Sequence, residues 1–148
     1  MNLDIGCGNK KRIGYTGMDT QDREGVDIIH DLEKTPWPIE PESADAINAS
    51  HVLEHLKPWE FINVMNEAWR VAKVGARMDI KTPYGLAYAY DPTHSILFQE
   101  SSFQYFMPEC SVYEVYQPKP WGIESTHRDD FNQELTTVLI KRKEHGTI

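Results

Sequence analysis

The chain has 148 residues, 40% hydrophobic and 26% charged, a length and composition typical of one soluble domain with a single core. Its net charge of −8 argues against a large nonspecific nucleic-acid surface, although it leaves room for a local basic groove. Two cysteines, Cys7 and Cys110, are too few for a disulfide framework, so we expect a reduced, cytoplasmic setting. We expect no membrane span, because no segment is apolar enough, and no signal peptide before the polar start at Met1 and Asn2.

The N-terminal half predicts short strands joined by short connections. The segment LDIGCGNK has the form of a buried strand, Asn2–Ile5, that runs into a glycine-rich turn, where backbone N–H groups can approach a ligand. The basic segment NKKRIG, residues 9–14, is too short for the helix that normally joins two parallel strands. Three more strands are predicted at residues 15–19, 26–29 and 44–49, with a proline-rich loop at residues 35–42 before the last.

The C-terminal half predicts one long helix and the remainder of the sheet. The helix begins at Pro58, carries an apolar stripe that includes Phe61 and Met65, and ends at Gly75. The further predicted elements are a fifth strand at residues 76–82, a tyrosine-rich loop at residues 83–91, a short helix at residues 101–106, and late strands at residues 112–116 and Glu134–Lys141. With no repeat or linker between them, residues 1–148 are predicted to form a single domain.

Four segments in this order resemble a class I S-adenosylmethionine-dependent methyltransferase of the small, methyltransferase-11-like type. They are LDIGCGNK, GMD, HDLEKTPWPIEPESADAINASHVLEHL and EAWRVAKVGARMDIKTP. The resemblance covers residues 1 to about 83, and DPTHSILFQESSFQYF resembles a later segment of small methyltransferases of this kind. It implies an α/β, Rossmann-like methyltransferase fold with a mostly parallel central sheet and a reversed C-terminal hairpin, here with a reduced helix set.

The resemblance also implies a cofactor, S-adenosyl-L-methionine, with S-adenosyl-L-homocysteine as its product. The backbone of Gly6, Cys7 and Gly8 would lie against the methionine and ribose parts of the cofactor. Asp4 would lie beneath the turn and either accept hydrogen bonds from turn amides or approach the cofactor's ammonium group.

Further cofactor contacts are implied at the ends of the next strands. Asp19 would accept hydrogen bonds from the ribose hydroxyls, Asp31 would accept from the adenine amino group, and Leu32 would pack on the adenine face. Ser50 and His51 would lie near the reactive sulfonium. The alternative for both aspartates is a plain turn residue, which is the commoner role of a lone Asp after a strand.

The chain departs from the family pattern near its start. Lys10 stands where a third glycine is common, the first helix is nearly absent, and the usual helix before the first strand is missing. These helices normally cover one face of the sheet, so their loss would leave an apolar surface or an open site. We therefore expect a second copy of the chain to cover it in a homodimer.

The residues His51, Glu54 and His55 suggest two different chemistries. On a helix they would face the same way, and with His94 they would form a mixed nitrogen and oxygen metal set. This set resembles the Glu-x-x-Glu-His plus distant His arrangement of small-RNA 2′-O-methyltransferases. We favour no metal, because the segment VLEHL also occurs in methyltransferases without one, where Glu54 and His55 serve helix start and packing.

The favoured chemistry is general base catalysis without a metal. The protein must align the acceptor and remove a proton from a hydroxyl or neutral amine. His51 and His94 are the candidate catalytic residues, since both would flank the methyl group, and Tyr84 or Asp91 would help to position the substrate.

Three classes of function follow. The leading one is a methyltransferase acting on a hydroxyl or amine of an unidentified small molecule or saccharide. The second is a nucleic-acid methyltransferase, whose basic groove would have to come from the clusters Lys10, Lys11, Arg12 and Lys141, Arg142, Lys143. The third is a catalytically inactive binding protein of the same fold. A dinucleotide-dependent oxidoreductase fits poorly, because neither a third glycine nor a long first helix is present for a pyrophosphate.

Overall fold

The computed structural model describes residues 1–144, and its centre is one seven-stranded sheet. The strands are β1 (Asn2–Ile5), β2 (Thr16–Asp19), β3 (Ile28–Ile29), β4 (Ala44–Ser50), β5 (Ala72–Pro83), β6 (Trp121–Asp129) and β7 (Glu134–Lys141). Their order across the sheet is β3-β2-β1-β4-β5-β7-β6. The first five strands pair with one another in parallel, and β7 pairs antiparallel with both β5 and β6. The predicted mostly parallel sheet with a reversed C-terminal hairpin is confirmed.

The helices are few and short, as the reduced helix set predicted. They are α1 (Phe61–Val71), α2 (Gly85–Ala89) and three 3-10 helices at Leu53–His55, Ser102–Phe106 and Ser111–Val115. Within residues 1–144, no helix joins β1 to β2 or β2 to β3. None of the helices in this part of the chain is long and apolar enough to cross a membrane.

The predicted bounds of the long helix were wrong at both ends. It begins at Phe61 rather than Pro58, which lies in a turn, and it ends at Val71 rather than Gly75. The reason for the early end is the sheet: Ala72 is already extended and pairs with Ala44 of β4. Strand pairing thus takes over residues that local helix signals assigned to the helix.

The C-terminal half contains two further errors of prediction. Residues 112–116 were expected as a strand, but the 3-10 helix Ser111–Val115 occupies all of them except Tyr116, which follows it, and β6 at Trp121–Asp129 was not located. Pairing with β7 selects β6, whose register runs from Trp121 opposite Lys141 to Asp129 opposite Glu134. The predicted loop at residues 83–91 contains the short helix α2. The predicted short helix at residues 101–106 is present as Ser102–Phe106.

One face of the sheet carries the hydrophobic core. Val64, Met65 and Ala68 of α1 are buried together with Met78 and Ile80 of β5. Aromatic rings extend this core. The ring of Phe61 meets those of Phe98, Phe103 and Phe106 edge-on, at centroid distances of 5.4, 6.3 and 5.7 Å.

The opposite face of the sheet is polar at its centre, and this region around Arg12 is referred to below as the polar face. Side chains alternate between faces along a strand, so Asp4, Asn48 and Asp79, which are aligned across β1, β4 and β5, point away from the core. Arg12 lies across all three. Its amide donates to Asp4 Oδ2 at 2.7 Å, and its guanidinium donates to Asn48 Oδ1 at 3.3 Å and Asp79 Oδ2 at 2.8 Å.

This face bears on one expectation. The missing helices were expected to leave either an apolar surface or an open site, and around Arg12 the face is covered by charged and amide groups. Exposed apolar side chains remain nearby, with Ile29 59% and Ile13 98% exposed. The homodimer stays a prediction.

Candidate functional site

A cleft of about 190 Å³ lies at the carboxyl ends of the parallel strands, where ligands bind in open α/β sheets. It is formed by the turn after β1, the ends of β2 and β3, and the segment after β4. Its lining residues are Gly6, Asp19, Thr20, Asp31, Leu32, Glu33, Val52, His55 and Leu56. Four residues of the predicted cofactor set, Gly6, Asp19, Asp31 and Leu32, therefore line one cleft.

The glycine turn forms one wall of this cleft. Gly6 and Gly8 have φ values of +60° and +54°, and the Gly6 amide donates to the Met18 carbonyl at 2.8 Å. A Cβ on Gly6 would lie 2.1 Å from Val52 Cγ2, whereas a Cβ on Gly8 would meet nothing within 4 Å. Gly6 is thus required for packing against Val52, while the space beside Gly8 is open to a ligand.

Asp19 couples the turn to the end of β2. Its Oδ2 accepts from the Gly8 amide at 2.9 Å, and its Oδ1 accepts from the Gln21 amide at 3.2 Å and the Thr20 hydroxyl at 3.4 Å. Asp31 Oδ1 accepts from the Glu33 amide at 3.0 Å. Both aspartates therefore stabilise turns, as the alternative proposed. A carboxylate has about four acceptor positions, so each retains capacity for a ligand in the cleft.

Five residues of the predicted cofactor set are not among those that line this cleft: Asp4, Cys7, Gly8, Ser50 and His51. Asp4 is buried and accepts from the Arg12 amide and from Asn48 Nδ2, both at 2.7 Å, rather than from the amides of the glycine turn. Cys7 is a packing residue: its Sγ would lie 2.7 Å from a Cβ on Gly17, and burial raises the pKa of its thiol.

Ser50 lies in a separate depression on the polar face, of about 490 Å³. The other residues lining that depression are Arg12, Asn48, Asp79, Lys81 and Thr136.

A cluster of histidines surrounds a buried carboxylate next to the cleft. Glu54 is fully buried, and neither of its carboxylate oxygens has a hydrogen-bond partner. Its Oε1 lies 3.6 Å from His51 Nδ1, 3.9 Å from His55 Nε2 and 3.9 Å from His94 Nε2. The predicted helix is only the 3-10 helix Leu53–His55, and His51 precedes it with φ of +53°. The prediction that a helix aligns these residues was wrong, but His51, Glu54, His55 and His94 do lie together.

Hydrogen bonds fix how two of these imidazoles face Glu54. His94 Nδ1 lies 2.8 Å from the Tyr88 carbonyl, which only accepts, so Nδ1 carries the proton. His55 Nδ1 lies 2.9 Å from Thr93 Oγ1, whose own hydroxyl donates to Asp91 Oδ1 at 2.7 Å. Thr93 Oγ1 therefore accepts a hydrogen bond from the His55 Nδ1–H group. In their neutral forms both imidazoles direct an unprotonated Nε2 toward the carboxylate.

His51 has a second carboxylate partner. Its Nε2 lies 2.8 Å from Glu134 Oε2. The nearby carboxylates of Glu54 and, next in effect, Glu134 raise the pKa of His51 above its ordinary value. Sequence reasoning missed Glu134, because it lies on β7 and nothing local connects it to His51. It also missed Tyr88 and Thr93, which orient the other two imidazoles.

The two predicted substrate-positioning residues serve other partners. Asp91 holds Thr93 and, through it, His55. The Tyr84 hydroxyl donates to Asp130, and this bond raises the pKa of Tyr84. Tyr84 also lines a cleft of about 290 Å³ that is distinct from the one at the strand ends.

The predicted basic clusters are largely committed to internal partners. Lys11 binds Asp27 at 2.8 Å, Arg12 binds Asp79, and Arg142 binds Glu109 at 2.7 Å. Lys141 is buried and donates to the Ala72 carbonyl at 2.7 Å. Four of the six basic side chains are thus occupied within the protein.

Comparison with solved structures finds proteins of similar fold. A S-adenosylmethionine-dependent methyltransferase from Archaeoglobus fulgidus superposes with a TM-score of 0.69 at 15% identity, covering 94% of this chain and 85% of that one. A Burkholderia thailandensis 1,6-didemethyltoxoflavin-N1-methyltransferase, solved with 1,6-didemethyltoxoflavin and S-adenosylhomocysteine, gives 0.67 at 10% identity, covering 95% and 70%. The chain therefore has the α/β, Rossmann-like fold of these methyltransferases.

The fold by itself does not define the reaction. A cyclase also superposes with a TM-score of 0.64 at 13% identity, covering 94% of this chain and 74% of that one. No family model and no curated protein matches the sequence. The function must therefore be argued from the residues of the site.

Proposed function

We propose that this protein is a S-adenosylmethionine-dependent methyltransferase that acts on a hydroxyl or amine of a small molecule or saccharide. One observation carries the proposal. In a fold shared with methyltransferases of this kind, a single cleft gathers the glycine turn, two carboxylates and an apolar side chain from three different strand ends. These are the groups that a nucleoside with an attached amino acid requires.

The residues of the cleft fit such a cofactor. Asp19, at the end of β2, would accept from the ribose hydroxyls, and Asp31, after β3, would accept from the adenine amino group, while Leu32 would pack on the adenine. The cleft is smaller than the ~300–1,000 Å³ common for ligand pockets, which suits the adenosine end alone. Gly8 would then accommodate the methionine end, because the position beside it is open.

The chain's own task in the reaction is alignment and proton removal. The cofactor, when bound, supplies an activated methyl group on a sulfonium. A hydroxyl or neutral amine acceptor must lose a proton, and His51, His55 and His94 are the imidazoles close to the cleft. His55 lines it directly. We assign proton removal to this histidine cluster, with His51 and His94 as the candidate bases.

Two observations favour a small acceptor over a nucleic acid. The net charge is −8, and four of the six side chains in the basic clusters are bound to internal partners. A phosphate backbone is held chiefly by available Lys and Arg side chains. One of the structural relatives, the Burkholderia enzyme, was solved with a small molecule, 1,6-didemethyltoxoflavin.

Calorimetric titration with S-adenosylmethionine and S-adenosylhomocysteine tests the proposal. We expect wild type to bind both, and Asp19→Asn to bind about 10- to 100-fold more weakly, because hydrogen bonds to a charged acceptor are worth about 1.5–3 kcal/mol. Absence of binding by wild type would refute the methyltransferase assignment. Equal binding by wild type and Asp19→Asn would refute the ribose assignment.

A matched control separates cofactor contacts from general effects of charge. Asp22→Asn makes the same charge change three residues away at an exposed position outside the cleft, and it should leave both affinities unchanged. Asp19 also holds the Gly8 amide, so thermal unfolding of both variants must accompany the titrations. Asp31→Asn, whose contact is with the Glu33 amide, provides an independent test of the adenine contact.

A further inference from the structure

Glu54 has surroundings that are unusual for a buried carboxylate. Its carboxylate is fully buried, and neither oxygen accepts a hydrogen bond. Burial of an ionised carboxylate without compensation is strongly unfavourable, so buried charges are normally paired or bind metals. Three imidazole nitrogens face its Oε1: His51 Nδ1 at 3.6 Å, and the Nε2 atoms of His55 and His94, each at 3.9 Å. His51 also pairs with Glu134. In the neutral rings of His55 and His94 the proton is on Nδ1, so their two Nε2 atoms and the Glu54 carboxylate are three electron-pair donors that face one another.

We propose that Glu54, His55 and His94 form a binding site for a divalent transition-metal ion of the zinc type. One ligand atom from each residue lies within 4.8 Å of the other two. The unpartnered, fully buried carboxylate is the independent observation that marks this cluster as a site, since a carboxylate with only a structural role would accept hydrogen bonds.

The donor set selects the class of metal. Imidazole nitrogens suit zinc and the later first-row metals, whereas magnesium and calcium prefer oxygen ligands. Ligand atoms of a tetrahedral zinc site lie roughly 3.3 Å apart, given bonds of about 2.0–2.1 Å. From the present separations, binding requires the three donors to draw together by roughly half to one and a half ångström, which side-chain rotations can supply. Three protein ligands leave a fourth position open.

The surroundings of the two histidines match those of metal ligands. A metal-binding imidazole usually donates its second N–H to a carbonyl or a carboxylate-linked group, which fixes the ring and its tautomer. His94 donates to the Tyr88 carbonyl, and His55 donates to Thr93, which is held by Asp91. The proposed cofactor contacts do not require these two hydrogen bonds, whereas a metal site does.

The site also has a use in the proposed reaction, and only this part rests on the proposed function. His55 lines the cofactor cleft, so the open metal position borders the place where the acceptor must approach. A hydroxyl bound there would lose its proton more readily, because a bound cation lowers its pKa. His94 cannot be a ligand and a base at once, so with the metal bound the role of base proposed for His51 and His94 would pass to His51 alone, which lies outside the ligand set.

Titration of the tag-free, chelator-treated chain with Zn²⁺ by calorimetry tests the site. We expect binding of one ion per chain, with Mg²⁺ binding at least roughly 100-fold more weakly. Loss of an orienting partner alone costs about 10- to 100-fold in metal affinity, so loss of a ligand in Glu54→Gln should cost roughly 100-fold or more. Glu124→Gln, an exposed residue of β6 paired with Arg77, makes the same change away from the cluster and should bind zinc as wild type does.

Either of two results would overturn the proposed metal site: wild type fails to bind one zinc ion, or Glu54→Gln binds zinc with the same affinity as wild type. If Glu54→Gln fails to fold by circular dichroism, the exposed His55→Gln replaces it, with the same expectation. Because zinc is titrated without cofactor, a negative result leaves S-adenosylhomocysteine binding intact, whereas failure of the proposed function removes cofactor binding and leaves zinc binding.

Discussion

Two buried carboxylates in this protein have opposite surroundings. Asp4, on the polar face of the sheet, accepts hydrogen bonds from the Arg12 amide and the Asn48 side chain, both at 2.7 Å. Glu54, beside the cleft, is equally buried but accepts none and faces imidazoles instead. The difference indicates a structural role for Asp4 and a ligand-binding role for Glu54. A carboxylate satisfied by the chain stabilises the fold, and one that the chain leaves unsatisfied marks the place for a ligand.

The same contrast holds for the regions around them. On the polar face, Arg12 takes the place of a covering helix and links β1, β4 and β5 through hydrogen bonds and an ion pair. At the strand ends, the glycine turn and Asp31 keep part of their hydrogen-bonding capacity for a ligand. The polar face thus supports the sheet, and the cleft with its histidine cluster carries the proposed chemistry.

Removal of the satisfied carboxylate should have the largest effect. We expect Asp4→Ala to lower the free energy of unfolding by about 2–4 kcal/mol, because Asn48 and the Arg12 amide lose their acceptor. Urea denaturation measures the change. The matched variant Asp79→Ala removes only a part-exposed ion pair with Arg12 and should cost about 1 kcal/mol or less. Equal losses in the two variants would contradict the structural role of Asp4.

Neutralising the unsatisfied carboxylate should have a much smaller effect on folding. Glu54→Gln keeps the side chain's size and removes a buried charge without a hydrogen-bond partner, so the metal-free chain should change in stability by less than about 1 kcal/mol or become more stable. Urea denaturation in chelator gives the comparison. A loss as large as that of Asp4→Ala would show that Glu54 is a structural residue and would remove the contrast.

The smallest expected effect concerns the titration of His51. Glu134→Gln should lower the pKa of His51, because it removes a carboxylate 2.8 Å from Nε2. The raised pKa means that this interaction stabilises the fold fully below the unfolded-state pKa of about 6.5, and that the stabilisation is lost as pH rises through the folded-state pKa. Imidazole chemical shifts followed against pH measure it, and an unchanged pKa would exclude Glu134 as a partner.

The sequence predicted the elements whose signals are local. The bounds of β1 were predicted correctly, because a buried run ends directly at a glycine turn, and so were those of β7. Residues 112–116 were misassigned and β6 was missed, because pairing with β7, rather than local alternation, decides which segment becomes the strand. The C-terminal end of α1 was wrong for the same reason: β4 pairs with Ala72.

The site was predictable where strand order alone determines position. Parallel strands end at one edge of the sheet, so Gly6, Asp19 and Asp31 were expected together and line one cleft. Ser50 lines the depression on the other face instead. The partners that orient the histidines, such as Tyr88 and Glu134, come from distant segments, and no local pattern in the sequence connects them to the cluster.

The most direct test of the proposed function is amide chemical-shift mapping by nuclear magnetic resonance during titration with S-adenosylhomocysteine. We predict saturable changes at residues around the cleft, namely Gly6, Gly8, Thr20, Leu32 and Glu33, with little change at Asn48 and Lys81 on the polar face. Changes confined to the polar-face depression, or the absence of any saturable change, would contradict the assignment of this cleft as the cofactor site.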